Sequence, residues 1–267
     1  NISLWFYLPQ HFKGIKVKNI SITKQMPAII LLFIPQIANK IYNMLDTTML
    51  ERIIADKSEA GYYEQSQKII RVLLTVVTSL GTVMVPRMAS MFANGEKENI
   101  NRYMKKSFNF TYLLSFPIIF GLIAISKDFV PWFFGPGYTK VILLMNIIAP
   151  VVLLMGVANI IGTQYLLPTK RQKEFSFSVL GGIVVNFILN YIMIHLWRSI
   201  GACIATVLSQ LVVDAIQCYY VKDEIDLKEM SRLSYKYLFA AVMMFICCML
   251  VRIFLHGFIC IVVQGIR

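Results

Sequence analysis

The sequence has little charge and few of the residues that build enzyme active sites. Only 15% of its 267 residues are charged and 57% are hydrophobic, whereas soluble domains carry about 25% charged residues. The three histidines are isolated, and no Walker sequence, GxSxG, HExxH or paired-carboxylate loop occurs. The five cysteines form no CxxC pair and show no metal-ligand spacing. These absences argue against a soluble enzyme and a disordered protein, and we predict no catalytic residue, metal site or cofactor.

Long apolar stretches are what the sequence does contain. A helix needs about 20 apolar residues to cross a bilayer, and seven stretches qualify: roughly 26–50, 66–92, 107–126, 139–167, 175–197, 199–221 and 235–255. Because they lack the alternation of β-barrel strands, we predict an all-α, polytopic transmembrane bundle of about seven complete spans. Apolar stubs at 1–10 and 257–263 flank them, and we expect the chain to be part of a longer protein.

The basic residues predict the orientation of the spans. Lys and Arg outnumber Asp and Glu by 26 to 14, a net charge of +12. Sorted by connection, sixteen basic residues fall on one side of the membrane and six on the other, so the first side is cytoplasmic by the positive-inside rule. The six external residues are Arg52, Lys57, Lys127, Lys140, Arg198 and Arg252. The basic excess is therefore an orientation signal and does not indicate binding of nucleic acid.

Polar residues recur at helical spacing inside the first two spans. The first span carries Gln36, Asn39, Lys40, Asn43 and Asp46 on one face. The second carries a polar stripe made of Glu64, Lys68, Arg71, Thr75, Thr78 and Thr82. Each charge inside a membrane costs at least about 2.5–3.5 kcal/mol. We therefore predict that both faces line a protein interior or a wet cavity, with Lys40, Lys68 and Arg71 buried there.

These polar faces allow two interpretations. In the structural one, ion pairs such as Glu64 with Lys68 fix helix packing. In the functional one, the surplus of cations suits an anionic group such as a phosphate, which Arg binds with two parallel hydrogen bonds. Asp46 and Glu64 would then hold the cations apart, or carry a coupling proton or sodium ion. Arg87, near the cytoplasmic mouth, either captures substrate or snorkels to the interface.

Further polar residues lie in the later spans. Asp214 is either a cation site or a hydrogen-bonded interior acid. The uncharged polar residues are interpreted as interhelical hydrogen-bonding groups. They are Asn146, Asn159, Thr163, Gln164, Asn186 and Asn190.

Three segments carry a resemblance to a known family. They are LDTTML at 45–50, AGYYEQSQKI at 60–69 and LGTVMVPRM at 80–88. They resemble the Wzx-type polysaccharide flippases of the multidrug/oligosaccharidyl-lipid/polysaccharide (MOP) exporter superfamily, and the resemblance covers nearly the whole chain. The Gly-Tyr-Tyr-Glu and Pro-Arg segments are its most specific part. Glu51 departs from the pattern, which has Gly after the Thr-Met-Leu run.

The resemblance implies a fold of two six-helix lobes, of which this chain is the MOP/MATE-like C-terminal lobe. Residues 1–24 would be the end of a preceding helix and a basic cytoplasmic loop, and 25–221 the lobe. Residues 222–267 would hold a cytoplasmic loop, an accessory helix and a truncated final helix.

The resemblance also implies an activity in the bacterial cytoplasmic membrane. Undecaprenyl-pyrophosphate-linked oligosaccharide repeat units would cross it by alternating access, with ion coupling in some relatives, to supply surface polysaccharide such as capsule. The implied partners are the lipid-linked oligosaccharide, the membrane, the N-terminal lobe and a polysaccharide polymerase. The family has a cationic cavity, for which Lys40, Lys68 and Arg71 are the matching residues.

Two rival functions remain. The first is an exporter of the same fold that carries a drug or a peptidoglycan precursor, although a cationic drug favours a net-negative cavity. The second is a membrane-integral polymerase or ligase acting on the same glycan. Such enzymes generally need a substantial external loop with catalytic residues, and the sequence shows only short loops.

Overall fold

The computed structural model describes residues 44–254 and the single position Met26. In this part of the chain every regular element is a helix, which confirms the predicted all-α class. A 3-10 turn at Pro136–Tyr138 precedes the fourth helix, and the fifth continues as a π-helix at Asn159–Leu166. The helices are α1 (44–53), α2 (Lys57–Ala93), α3 (Lys97–Phe134), α4 (Thr139–Ile148), α5 (Val151–Ala158), α6 (Gln172–Val221) and α7 (Leu227–Phe254).

The helices match the predicted spans. Helices α2, α3, α6 and α7 are each long and apolar enough to cross a membrane, and α4 with α5 forms a fifth, bent span. A break at Arg198 divides α6 between the predicted spans 175–197 and 199–221. The second to seventh predicted spans thus have helical counterparts, and the chain is a multi-pass membrane protein. The first span is described only from residue 44, so Gln36, Asn39, Lys40, Asn43 and both terminal stubs lie outside the described residues.

The span predicted at 139–167 is bent rather than straight. Helix α4 ends at Ile148, α5 begins at Val151, and the two axes differ by 43°. Pro150 lies at the break. Because it has no backbone N–H, it cannot continue the helical hydrogen bonds across this point.

Helix α6 folds back on itself at Arg198, which has φ 52° and ψ −130°. The two halves of α6 run antiparallel, because residues at nearly equal sequence distances before and after Arg198 contact each other. Asn186 donates to Ser209 at 3.4 Å, and a Cβ on Gly182 would lie 2.2 Å from a methyl group of Val213. Small residues allow this close approach of two helices. One apparent 50-residue helix is therefore a tight hairpin of two spans.

The junctions around α2 use local capping groups. Asp56 caps its N-terminus by accepting hydrogen bonds from the backbone N–H and the hydroxyl of Ser58, at 2.9 and 2.6 Å. These bonds hold the pKa of Asp56 below its usual value. At the other end, Gly95 adopts φ +73°, a left-handed conformation that lets the chain turn directly into α3.

Two apolar clusters fill the bundle. One joins α1, α2, α4 and the second half of α6 around Leu50, Ile70 and Leu144, and the other joins α2, α3 and the π-helix around Met88, Met104 and Ile161. Helix α7 packs on α3, where Tyr237 donates to Asn109 at 3.2 Å and Phe120 meets Phe245. Its opposite side exposes a row of large apolar side chains, as a lipid-facing helix does. They are Tyr235, Phe239, Met243, Ile246 and Leu250.

Replacing Gly201 by Ala is expected to destabilise the α6 hairpin. Its Cβ would lie 2.0 Å from the backbone carbonyl oxygen of Met193, and backbone can give way only if the hairpin opens. Overpacking of this kind costs about 1–3 kcal/mol, which lowers Tm by roughly 2–4 °C per kcal/mol in a chain of this size. Thermal unfolding of the purified protein in detergent measures the change.

The matched control is Gly121→Ala, whose Cβ would make only an ordinary contact, 3.7 Å from a methyl group of Met244. If Gly201→Ala and Gly121→Ala unfold at the same temperature, the close approach does not constrain the hairpin.

Candidate functional site

The polar stripe predicted for the second span, called the α2 stripe from here on, lies mainly on the exposed side of its helix, with Thr78 half-buried. Glu64 and Lys68 form the predicted ion pair at 3.1 Å, but their side chains are 46% and 52% exposed. Arg71 and Thr75 are also exposed. The expectation that Lys68 and Arg71 are buried is therefore wrong for the described chain. The reason is that the opposite face of α2 supplies the packing against the rest of the bundle. That face consists of Tyr63, Ser66, Ile70, Val77, Gly81, Met84 and Met88.

The hydroxyl groups of the stripe satisfy the backbone of their own helix. Thr75 donates to the carbonyl of Val72 at 2.6 Å, and Thr78 donates to that of Leu74 at 2.9 Å. Each donor is thereby satisfied, while the oxygen keeps its capacity to accept. The two threonines can therefore accept hydrogen bonds from hydroxyl or amino groups of a ligand.

The predicted cations do not converge on one point. Sixteen residues separate Arg71 from Arg87, which corresponds to about 24 Å along a helix. Arg87 is exposed and belongs to a separate basic cluster, in which Arg87, Arg102 and Lys106 surround the ring of Tyr103 at 5.8, 5.8 and 5.0 Å. The pair Lys68 and Arg71 and the cluster at Arg87 are thus two different cationic regions of one helix.

Asp46 is the centre of a buried network. Its side chain is 2% exposed and accepts hydrogen bonds from Tyr63 at 2.6 Å, Asn190 at 2.6 Å and Thr206 at 3.0 Å. These donors belong to α2 and to the two halves of α6, and Asn190 also donates to Asn186 at 3.0 Å. Asp46 thus joins three spans, and the asparagines of α6 are interhelical hydrogen-bonding groups as interpreted from the sequence.

The described partners of Asp46 are all neutral. Within residues 44–254 no Lys or Arg forms an ion pair with it, so the expectation that Asp46 separates cations has no support among the described contacts. The amide oxygen of Asn190 is buried beside it without a hydrogen-bond partner. A carboxylate, an amide oxygen and hydroxyls are oxygen ligands suited to a hard cation, and a proton would neutralise the carboxylate equally well.

Asp214 is a second acid in the interior. It is 8% exposed and accepts a hydrogen bond from the amide of Gln210 at 3.2 Å, one turn earlier on the same helix. Of the two alternatives for Asp214, this geometry is that of the hydrogen-bonded interior acid. It lies eight residues, or about 12 Å along the helix, from Thr206 in the Asp46 network.

The sequence reasoning missed a third acid, Glu59. It is 3% exposed, forms an ion pair with Lys140, and accepts hydrogen bonds from the hydroxyl and backbone N–H of Ser199 at 2.6 and 3.3 Å. Arg198 lies 3.9 Å away. Glu59 thus ties the start of α2 to the start of α4 and to the break in α6. The available signal was that Lys140 and Arg198 are assigned to the external side, as is Lys57, two residues before Glu59 in the chain.

A comparable cluster ties the opposite end of α6. Arg171 pairs with Glu174 and with Glu224, the latter at 2.5 Å, and donates to the backbone carbonyl of Tyr220 at 2.8 Å. Tyr165 also donates to Glu224, at 2.6 Å. Burial alone would lower the pKa of Arg171, but the two carboxylates hold it above its usual value. The ends of the π-helix and of both halves of α6 are therefore held together.

Several known proteins resemble this chain. A profile of the family described as "Polysaccharide biosynthesis protein" matches residues 3–143. The "Probable low-salt glycan biosynthesis flippase Agl15" of Haloferax volcanii is 23% identical over 73% of this chain and 41% of its own length. The Lipid II flippase MurJ of Bacillus subtilis is 23% identical over 66% of this chain and 34% of its own. The lipopolysaccharide biosynthesis protein WzxC of Escherichia coli K12 is 27% identical over 54% and 29%.

Two solved structures share the fold. The Lipid II flippase MurJ in an inward closed conformation gives a TM-score of 0.70 at 17% identity, over 99% of this chain and 58% of that one. An outward-facing multidrug resistance MATE family transporter of the MOP superfamily gives a TM-score of 0.64 at 17% identity, over 84% of this chain and 53% of that one.

The matches to the curated relatives cover 41%, 34% and 29% of the lengths of those proteins, so the chain spans less than half of each relative.

The Glu59 cluster generates a stability prediction. Glu59→Gln keeps the shape of the side chain and leaves Lys140 without its charge partner. Breaking a buried ion pair costs about 3–5 kcal/mol. We expect a smaller loss, on the order of 1–3 kcal/mol, because the side chain of Lys140 is 30% exposed and partly screened. The free energy of unfolding in detergent measures it.

A double-mutant cycle is the control for this pair. Lys140→Gln alone leaves the more deeply buried Glu59 with only the more distant Arg198, at 3.9 Å, as a charge partner and should cost at least as much. The double variant should cost less than the two single losses together, because neither charge is then left alone. Strictly additive losses would contradict the assigned pairing.

Proposed function

The chain belongs to the polysaccharide biosynthesis protein family, and on that premise we propose that the whole protein is a lipid-linked oligosaccharide flippase. In this proposal undecaprenyl-pyrophosphate-linked repeat units move from the inner to the outer leaflet by alternating access. The chain supplies one lobe, residues 25–221, and an accessory part, 222–267. An N-terminal lobe supplies the other wall of the cavity, and a polysaccharide polymerase uses the product.

The exposed cationic face of α2 is the observation that carries the proposal. Lys68 and Arg71 lie in a helix that is long and apolar enough to span the membrane, yet both are exposed on the described chain. Charged groups at membrane depth need a polar partner or water. A water-filled cavity between two lobes meets this need and gives an anionic lipid diphosphate a cationic wall.

Arg71 has the central role in this wall. The charge of Lys68 is shared with Glu64, whereas Arg71 forms no ion pair within the described ranges, so its guanidinium is available to a phosphate. Thr75 and Thr78 lie one and two turns further along the helix and can accept hydrogen bonds from the saccharide. The face predicted for the first span, with Gln36, Asn39, Lys40 and Asn43, would extend the same wall.

Asp46 is the proposed coupling acid. Its carboxylate lies where α1, α2 and both halves of α6 meet, so a proton or sodium ion bound there would change hydrogen bonds in three spans at once. An ion can drive a conformational change only by binding the two states unequally. A buried carboxylate whose described partners are all neutral donors meets this condition, because no cation among the described residues balances its charge before the ion binds.

A peptidoglycan precursor is the second candidate substrate, since the Lipid II flippase MurJ of Bacillus subtilis is among the relatives. A precursor of this kind is also carried on a lipid diphosphate and would use the same cationic wall. Deleting the gene discriminates between the two. Loss of surface polysaccharide with normal cell-wall synthesis supports the oligosaccharide, and the reverse supports the peptidoglycan precursor.

Arg71→Ala in the full protein is expected to abolish most surface polysaccharide while the protein stays in the membrane. Loss of a hydrogen bond to a charged group costs about 1.5–3 kcal/mol, which predicts roughly a tenfold to hundredfold fall in transport. Polymer output and the lipid-linked units left in the inner leaflet are measured in a strain lacking the native gene.

Arg232→Ala is the matched control, because Arg232 is exposed near the start of α7 and away from the α2 stripe. We expect it to keep normal output, and Arg71→Lys to keep an intermediate output because it retains charge without the two parallel bonds. Normal polymer output from Arg71→Ala would refute a role for Arg71 in substrate handling.

Asp46→Asn is expected to uncouple transport from the ion gradient, because it removes the titratable charge with almost no change in volume. Transport by the full protein in liposomes is measured with and without an imposed sodium or proton gradient. The unaltered protein should respond to one of the two gradients, and the variant to neither. An unchanged response would place the coupling ion elsewhere.

A further inference from the structure

A neutral polar cavity lies inside the described bundle. It has a volume of about 320 Å³, is partly open, and is lined by α2, α5, the π-helix and both halves of α6. No charged side chain lines it among the described residues. The walls combine amides, hydroxyls and an aromatic ring with aliphatic groups. The polar and aromatic lining consists of Thr78, Asn159, Thr163, Phe175, Gln210 and Gln217.

The π-helix shapes one wall of this cavity. Its wider turn, marked by the hydrogen bond from Leu167 N–H to Gly162 C=O at 3.1 Å, brings Asn159 and Thr163 to the cavity. Gln164 instead contacts Ser107 at 2.8 Å on the other side. π-helical segments are rare and are found frequently at functional sites. The π-helical segment therefore divides its polar groups: Asn159 and Thr163 line the cavity, whereas Gln164 does not.

Gln217 lies in the opposite wall and carries an unused acceptor just behind it. Its side chain is 1% exposed, and its amide nitrogen donates to Ser178 at 3.2 Å. The amide oxygen is buried without a hydrogen-bond partner. A buried acceptor without a partner is costly, so a donor brought by a ligand would be stabilised there.

The absence of a side chain at Gly162 leaves space for Phe175 and Gln217 beside the cavity. A Cβ on Gly162 would lie 2.7 Å from the ring of Phe175 and 2.8 Å from the amide nitrogen of Gln217. Gln210, also in the wall, is oriented by the bond from its amide nitrogen to Asp214. The ring and both glutamine amides are therefore held in position by their neighbours.

We infer that this cavity is a carbohydrate subsite, which binds a neutral sugar of the lipid-linked glycan through its hydroxyl groups. Amides and hydroxyls both donate and accept, as sugar hydroxyls do, whereas a phosphate or a metal ion would require charged partners. The volume lies near the lower end of the roughly 300–1,000 Å³ typical of small-molecule sites. A sugar hydroxyl would donate to the free oxygen of Gln217, and the ring of Phe175 would pack on a sugar face.

The inference rests on the proposed function and adds selectivity for the glycan. Thr78 belongs both to the α2 stripe and to the cavity lining. It follows Arg71 by seven residues, or about 10 Å along the helix. A diphosphate held by Arg71 would therefore place the sugars that follow it near the cavity.

The test compares two probes on the full protein in detergent. One is undecaprenyl diphosphate, and the other is the same lipid carrying one N-acetylglucosamine. We expect the unaltered protein to bind the sugar-bearing probe more tightly. Gln217→Met removes the acceptor at similar volume, and Gly162→Ala forces the lining residues Phe175 and Gln217 to shift. Both should lose about three- to tenfold in preference, the size of one neutral hydrogen bond, and bind the bare diphosphate normally.

Two controls separate this inference from the proposed function. Gly121→Ala, a substitution of the same kind outside the cavity, should keep the preference, and Arg71→Ala should weaken binding of both probes alike. Equal binding of the probes by the unaltered protein, or full preference in both cavity variants, would overturn the subsite and leave a cavity that holds only water. Unchanged binding of both probes by Arg71→Ala would instead refute the proposed function.

Discussion

The buried carboxylate of Asp46 is the constraint on which the arrangement of the helices depends. No water is available in the apolar part of a bilayer, so the protein itself must satisfy this group. It does so with Tyr63 of α2, Asn190 of the first half of α6 and Thr206 of the second half. The last two reach one carboxylate only because α6 folds back at Arg198. Displacing any of these helices would remove a hydrogen bond from this carboxylate, which is why a coupling ion at this position could move them together.

Polar contacts at three depths brace α6 against its neighbours. Glu59 joins α2, α4 and the break in α6 at one end, Asp46 joins α1, α2 and α6 in the middle, and Arg171 joins the π-helix to both ends of α6 at the other. Single interhelical hydrogen bonds are worth little, but several of them joined in one buried network favour a single arrangement of the helices. These contacts lie on the inner sides of the helices, so the outer face of α2 remains available to a ligand. A rigid lobe with one open polar wall suits the alternating movement proposed for the whole protein.

Hydropathy and local spacing predicted most of the fold. The second to seventh spans, the division at Arg198 and the Glu64–Lys68 ion pair were all inferred correctly, because each depends on residues close together in the chain. The burial of Lys68 and Arg71 was not inferred correctly. Periodicity shows that a face is polar, but it cannot show whether that face packs inward or looks outward. Glu59 was missed for a related reason, since its partners Lys140 and Ser199 lie 81 and 140 residues away.

The sequence by itself determined that this is a multi-pass helical membrane protein, and it identified Asp46 and the α2 stripe as the polar features that need an explanation. Only the tertiary structure decided which of these groups is buried, which partners hold it and where a cavity remains. The donors to Asp46 lie 17, 144 and 160 residues away from it. The composition of a helix face follows from local spacing, whereas contacts between helices depend on how each helix is rotated, bent and packed against the others.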